Sequence, residues 1–209
     1  MSGRFIVLDG VDGCGKSTQL DHLLRWLPAS GLMPEGVALV STREPGGTPL
    51  GRSVRELLLH TRAEQCPAPT AELLLYAADR AQHVERLICP ALDRGDWVIS
   101  DRFSGSTLAY QGHGRGLDRH LIDQLERIAT AGLQPDLTLW LTLPLEESLR
   151  RRQGAQADRI EAEGQEFLQR VIDGYAVIAE QRGWSAIAAN RPEEAVSRAL
   201  EQELMDRLG

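Results

Sequence analysis

Lysine is nearly missing from this chain of 209 residues: there is one, Lys16, and the other cationic side chains are all arginine. Asparagine is as scarce, with Asn190 alone, followed by arginine. That removes the Asn-Lys-x-Asp element a guanine-specific switch usually needs. Cysteine is limited to Cys14, Cys66 and Cys89. An odd count at no metal-type spacing excludes a closed disulfide framework and suits a reducing compartment. No apolar run approaches the roughly 18 residues that suggest a membrane span. Positive charge is in deficit, with a net charge of −7 and a pI near 5.3, so no general nucleic-acid surface is expected. The N-terminus enters an apolar run within a few residues, so no signal peptide is expected. Together these absences point to a cytoplasmic protein. With 42% hydrophobic residues, the length suits one globular domain over 1–209 with a full core.

What is present begins with the surroundings of the lone lysine. Gly10-Val11-Asp12-Gly13-Cys14-Gly15-Lys16-Ser17 fits G-x-x-x-x-G-K-[ST], in which backbone N–H groups cradle phosphates, lysine reaches the β/γ-phosphates and the hydroxyl binds Mg²⁺. An ammonium is a compact point charge suited to a transferring phosphoryl group, whereas a guanidinium is a broad fork. Arg4-Phe5-Ile6-Val7-Leu8-Asp9 before the loop reads as a buried parallel strand, and Leu20, Leu23, Leu24 and Leu27 after it recur at helical spacing. The loop therefore joins a strand to a helix N-terminus, where free N–H groups and the dipole favour an anion.

Further apolar runs at 37–42, 97–101, 136–143 and 184–189 read as strands. Helical patterns lie near 16–28, 49–59, 70–94, 117–132, 144–153, 164–182 and 192–208. This alternation predicts an α/β fold, a parallel sheet of about five strands flanked by helices. Right-handed crossovers then bring Gly10, Arg43 and Asp101 to one sheet edge, where α/β proteins bind ligands. Pro45-Gly46-Gly47 and Gly112-His113-Gly114-Arg115-Gly116 read as breakers, and the Gly154-Ala155-Gln156-Ala157 interruption reads as a mobile flap.

Three sets of residues carry chemistry. Trp97-Val98-Ile99-Ser100-Asp101-Arg102 is a buried strand ending in Asp, where P-loop enzymes place an acidic residue near the metal. Asp12 lies inside the phosphate loop, an unfavourable place for a carboxylate unless it meets a cation or orients a hydroxyl or metal-bound water. Arg43, Arg55, Arg80, Arg102, the run Arg150-Arg151-Arg152 and Arg159 are fork-like donors of the kind that bind two phosphate-bearing substrates.

These segments, with Thr42-Arg43-Glu44-Pro45-Gly46-Gly47-Thr48, Asp101-Arg102-Phe103, Ala109-Tyr110-Gln111-Gly112, Pro135-Asp136-Leu137-Thr138 and Asp158-Arg159-Ile160-Glu161, resemble the bacterial thymidylate kinases of the P-loop nucleoside-monophosphate kinase group. The resemblance runs over nearly the whole chain. It implies a P-loop NTPase fold with a short mobile lid at about 150–163, a homodimer, and transfer of the ATP γ-phosphoryl to dTMP with Mg²⁺. By motif position it implies that Gly10 to Ser17 bind ATP and that Ser17 and Asp101 serve the metal. Lys16, Asp12 and Arg102 would be catalytic, joined by Arg150 or Arg152 of the lid. The dTMP site would comprise Asp12, Glu44, Arg55, Tyr76, Arg80, Arg102, Ser106, Thr107, Tyr110 and Gln111. In it Tyr76 would stack on the base, Arg80 would bond its edge, and Tyr110 would lie near the sugar and disfavour a 2′-hydroxyl. Cys14 takes a loop position usually held by a smaller residue, at a helix N-terminus that can activate a thiol. If 150–152 are helical, their side chains fan over roughly 200° and cannot all face the phosphates. Arg152 or Arg150 is expected to do so, with Arg151 least engaged and Arg159 acting across the flap.

Two other readings stay open on residues alone. Another small P-loop kinase would share the loop but take a different acceptor. A nucleotide-dependent switch would share it too, but gives no reason for a lid arginine cluster.

Overall fold

The computed structural model describes residues 3–153, 159–160 and 163–209, apart from the side chain of Ala63. The expected Gly154–Asp158 part of the lid, with Glu161 and Ala162, lies outside the described residues.

Five strands, β1 (Phe5–Asp9), β2 (Leu39–Arg43), β3 (Trp97–Asp101), β4 (Leu137–Thr142) and β5 (Ser185–Ala188), form one sheet in the order β2-β3-β1-β4-β5. All pairings are parallel. β1 is buried along its whole length, as a central strand covered on both faces must be. Its side chains alternate between faces: Ile6 and Leu8 join a cluster with Ile99 and Leu139, while Phe5 and Val7 join another with Val98 and Phe103. The chain runs from β1 out to β2 and returns through β3, then continues past β1 to β4 and β5. The carboxyl end of β1 is thus a topological switch point, the place where such sheets bind ligands.

The helices are α1 (Lys16–Trp26), α2 (Pro49–Leu59), α3 (Pro69–His83), α4 (Cys89–Asp93), α5 (Ser104–Thr107), α6 (Arg119–Thr130), α7 (Leu145–Arg151), α8 (Gln165–Arg182) and α9 (Glu193–Leu208). Two starts are written locally: Thr48 caps α2 by accepting from Gly51 N–H ahead of Pro49, and Asp118 caps α6 through His120 N–H.

Two stretches differ from the sequence reading. The helix expected over 70–94 is interrupted by a π turn at Val84–Ile88. Pro90 has no N–H and its ring would meet the carbonyl of Arg86, and the wider turn, in which Cys89 N–H bonds Val84 O, accommodates it. Residues 104–114, outside the expected helical patterns and overlapping the expected breaker at 112–116, are helical: α5 runs into a π segment, Leu108–Gly114. Packing against α8 overrides local propensity there. A Cβ on Gly105 would sit 2.0 Å from the Trp184 ring, so that glycine marks a close approach rather than a loop.

Candidate active site

At the switch point the chain leaves β1 through Gly10, whose φ of +142° and whose approach to Leu141 O, 2.6 Å from any Cβ, restrict the position to glycine. The loop folds around its lysine. Lys16 Nζ donates to Gly10 O at 2.9 Å and Val11 O at 3.0 Å and lies 3.9 Å from Asp12 Oδ1. Asp12, Gly13, Gly15, Lys16 and Ser17 line a cavity of about 520 Å³, while Val11 and Cys14 are buried in the core behind it.

Cys14 is therefore not the activated thiol its position suggested. It is buried, and burial pushes its pKa up against the pull of Lys16 and Arg102. Cys66 is the exposed thiol. We expect iodoacetamide to modify Cys66 first and leave Cys14 untouched in the folded protein, with or without nucleotide. Peptide mapping that finds Cys14 labelled as fast as Cys66 would contradict this placement.

Beside the loop, Asp12, Arg102 and Tyr110 form a clamp. Arg102 Nη2 donates to Asp12 Oδ1 at 2.5 Å and Tyr110 OH donates to Asp12 Oδ2 at 2.9 Å. Burial would raise the Asp12 pKa, but Arg102 and then Lys16 outweigh it and hold the carboxyl far below the usual range. Arg102 Nη1 also donates to Gly10 O, Ser106 Oγ and Tyr175 OH at 2.9, 3.1 and 3.0 Å. Its backbone has φ of +73°, a conformation that costs a bulky residue on the order of 1–3 kcal/mol. This network over-determines that strain. Behind it Asp9, fully buried, accepts from Tyr175 OH at 2.6 Å and Ser106 Oγ at 2.7 Å.

The far wall of the cavity comes from α3 and its neighbours. Tyr76 is half-buried and lines it, together with Arg55, Arg80, Thr107 and Gln111. Arg55 Nη1 donates to Pro45 O at 3.1 Å. Arg80 is held on all sides: Nε donates to Glu44 Oε2 at 2.8 Å, Nη1 to Thr107 Oγ1 at 3.0 Å and to Glu126 Oε1, and Nη2 to Phe103 O at 3.1 Å. Glu44 reaches on to His83 Nδ1 at 2.9 Å, and His83 Nε2 meets Thr42 Oγ1 at 2.6 Å. Glu44, expected at the acceptor, is thus buried behind the cavity as the support of Arg80 while still lining it.

Two carboxylates share this one guanidinium, with Asp79 close by. Burial first, and repulsion from Glu44 second to the attraction of Arg80, leave Glu126 raised from 4.5 to about 7. Below pH 4.5 both folded and unfolded chains carry that proton. Between the two values only the folded chain keeps it, so this contribution to stability is lost as pH rises and is flat above about 7. Glu126→Gln removes the titration. Its melting temperature relative to wild type should therefore rise between about pH 4.5 and about pH 7.5, values that span the window. A difference independent of pH would contradict the assignment.

The expected lid arginines divide differently from the sequence reading. Ser148 Oγ donates to Asp12 O at 2.7 Å and docks α7 on the phosphate loop. Arg151, one turn later, lines the cavity and reaches Ala189 O at 2.9 Å and Gly13 O at 3.4 Å. The Arg152 stem packs over Gly13. Arg150 is 67% exposed and forks onto Glu147. Arg159 is turned to Glu72 and to Leu58 O, at 2.9 Å from the latter.

Ser17 and Asp101 both line this cavity and an adjoining one of about 370 Å³. Asp101 Oδ1 is buried with no hydrogen-bond partner among the described residues. An orphaned carboxylate oxygen on a residue that lines the same cavities as a hydroxyl is a donor set suited to Mg²⁺, which takes one or two carboxylates and leaves its other positions to waters and phosphates.

Sequence reasoning missed Asp9, Glu72, His83, Glu126, Ser148 and Tyr175. A signal existed for some: Glu72, Asp79, Arg80 and His83 recur on one buried face of an otherwise apolar helix, an arrangement that needs mutual partners.

Known proteins resemble the chain over nearly its whole length. The family model described as thymidylate kinase matches residues 8–200. A thymidylate kinase of Parasynechococcus marenigrum (strain WH8102) is 89% identical over 209 residues, covering both chains completely. One of Synechococcus sp. (strain CC9605) is 71% identical over 208 residues and 100% of each chain. One of Prochlorococcus marinus (strain MIT 9313) is 64% identical over 209 residues, 100% of this chain and 97% of that one. The chain belongs to the thymidylate kinase family.

Proposed function

We propose that the protein transfers the γ-phosphoryl group of ATP to the 5′-phosphate of dTMP, giving dTDP and ADP. The observation that carries this is one cavity lined both by the phosphate loop with Lys16 and by Tyr76, Arg80, Thr107 and Gln111. The first set suits a polyphosphate, the second an aromatic base with hydrogen-bonding edges. A switch protein has no use for the second.

In this reading Gly13, Gly15 and the α1 N-terminus bind the β- and γ-phosphates, and Lys16 exchanges its carbonyl partners for phosphate oxygens. Arg102 and Arg55 take the acceptor phosphate, and Asp12 aims Arg102. Arg151, with Arg152 beside it, is the lid cation best placed to meet charge developing on the transferring group, and Arg150 is the farthest from it. Phosphoryl transfer asks for positioning and charge neutralisation more than covalent chemistry, and this cavity supplies both. Ser17 and Asp101 would hold Mg²⁺, which when bound neutralises the phosphate oxygens.

We read residues 1–209 as one kinase domain acting as a homodimer. Leu50 and Leu57 of α2, Leu74 of α3, and Leu121 and Ile128 of α6 are exposed. Each same-helix pair is seven residues apart, on one face, and the three helices pack side by side, which gives an apolar surface suited to a second copy. No helix among the described residues is long and apolar enough to cross a membrane, and the three free thiols accord with a cytoplasmic setting.

The test is ADP release from ATP and Mg²⁺ with and without dTMP. Release that depends on dTMP supports the kinase reading. Equal release in both arms, or none, contradicts it.

A further inference from the structure

Glu72 takes no part in phosphoryl transfer, yet it is a fully buried carboxylate one helical turn before Tyr76 and is saturated with donors. Its Oε1 accepts from Gln111 Nε2 at 2.8 Å and Arg115 Nε at 3.1 Å. Its Oε2 accepts from Arg115 Nη2 at 2.9 Å and from Arg159 Nη2. Two guanidiniums keep the group ionised: burial opposes this, but Arg115, Gln111 and Arg159 together hold its pKa below the ordinary value.

An ionised carboxylate only accepts hydrogen bonds, whereas a carboxamide has one donating and one accepting end. Gln111 can therefore meet Glu72 only through its NH₂ group. The end left for the cavity that Gln111 lines is the carbonyl oxygen, an acceptor. Nearby, Arg80 has four of its five N–H groups engaged, so what it can add is a donor. A donor beside an acceptor matches the edge of a pyrimidine dione, with its carbonyl oxygen next to a ring N–H. It mismatches an aminopyrimidine twice, where an amino group stands next to a ring nitrogen lone pair.

We infer that Glu72 is a specificity-determining positioning residue: by fixing the Gln111 amide with its carbonyl toward the cavity, it makes the site accept a pyrimidine carrying a ring N–H and refuse one carrying a ring lone pair. The inference rests on the reading of the cavity as a pyrimidine monophosphate site. It concerns orientation and not contact, since Glu72 itself is shielded behind Gln111. Arg115 and Arg159 favour the ionised carboxylate, which accepts hydrogen bonds and does not donate them.

The experiment compares kcat/KM for dTMP and for 5-methyl-dCMP, which differ only at that edge. Glu72→Gln keeps the shape but can donate as well as accept, so the Gln111 amide is released to turn over. The preference for dTMP should fall about tenfold or more, the size of one lost base-edge pairing, with the KM for ATP unchanged. Glu72→Asp, which still only accepts, should keep the preference even if its turnover is lower. Arg159→Ala should also keep it, because Arg115 and Gln111 remain on Glu72. An unchanged preference in Glu72→Gln, or an equal fall in Arg159→Ala, overturns the inference and assigns Glu72 to packing. Should Glu72→Gln fail to fold, Gln111→Leu decides: it leaves Glu72 and both arginines in place and must lose the preference, and retention overturns the inference. A wild-type protein that turns over neither nucleotide would instead overturn the functional reading beneath it.

Discussion

Replacing Lys16 with alanine should lower kcat by about 10²–10³-fold, the usual effect of removing one preorganised group that stabilises transition-state charge, while leaving the fold intact. In the structure the ammonium is nearly buried, 7% exposed, and held by Gly10 O and Val11 O, so the loop is shaped around it before any phosphate arrives. The loss should fall mainly on kcat, because the interaction strengthens as charge develops on the transferred group. Lys16→Arg should not restore activity: a guanidinium is a planar fork too broad for a niche fitted to a point charge. Circular dichroism separates loss of chemistry from loss of structure. A variant with near-normal kcat would show that the lysine serves only the loop.

Arg102→Ala should be at least as damaging, and for a different reason. The guanidinium joins Asp12, Gly10 O, Ser106, Tyr110 and Tyr175, so its removal leaves a partly buried carboxylate short of its main partner. Breaking such a pair from one side costs about 3–5 kcal/mol, and kcat/KM for dTMP should fall by more than about 10²-fold. The two effects separate in the double variant Asp12→Ala/Arg102→Ala. Removing both charges should recover part of the stability, since Asp12 is no longer left without its partner, but none of the activity. Recovery of activity along with stability would mean that Arg102 only neutralises Asp12.

How much of this was legible in the chain depended on how local its cause is. The phosphate loop reads directly because its requirements are written in adjacent residues: glycine where φ is positive, one lysine, and a hydroxyl at the helix start. The sheet reads because buried parallel strands are short apolar runs, and all five appear where expected. The placement of the lid arginines was not legible in the chain because helical phase is set from outside the helix. Ser148, hydrogen-bonded to Asp12 O, turns the following positions 151 and 152 toward the phosphate loop and 150 toward solvent, and nothing in three consecutive arginines announces that phase. The partners of Arg80 were hidden for a related reason. Glu44 and Glu126 lie 36 and 46 residues from it, and only tertiary packing brings them to the same side chain. Arg159 was expected across the flap, and its Nη2 meets Glu72, a carboxylate that looks like an ordinary helix residue until its burial is known. Residues 104–114 did not read as helix because their glycines answer to close approaches from elsewhere in the fold, Gly105 to Trp184 and Gly114 to Phe167 and Val171 of α8.

If one cavity holds a phosphoryl donor and dTMP together, the label on ATP must pass to dTMP. The protein is incubated with γ-labelled ATP, Mg²⁺ and an equimolar mixture of nucleoside monophosphates, and the products are separated by chromatography. Label is expected in dTDP, well above any other diphosphate and above inorganic phosphate. Label found chiefly in inorganic phosphate, or in a diphosphate other than dTDP, would contradict the account.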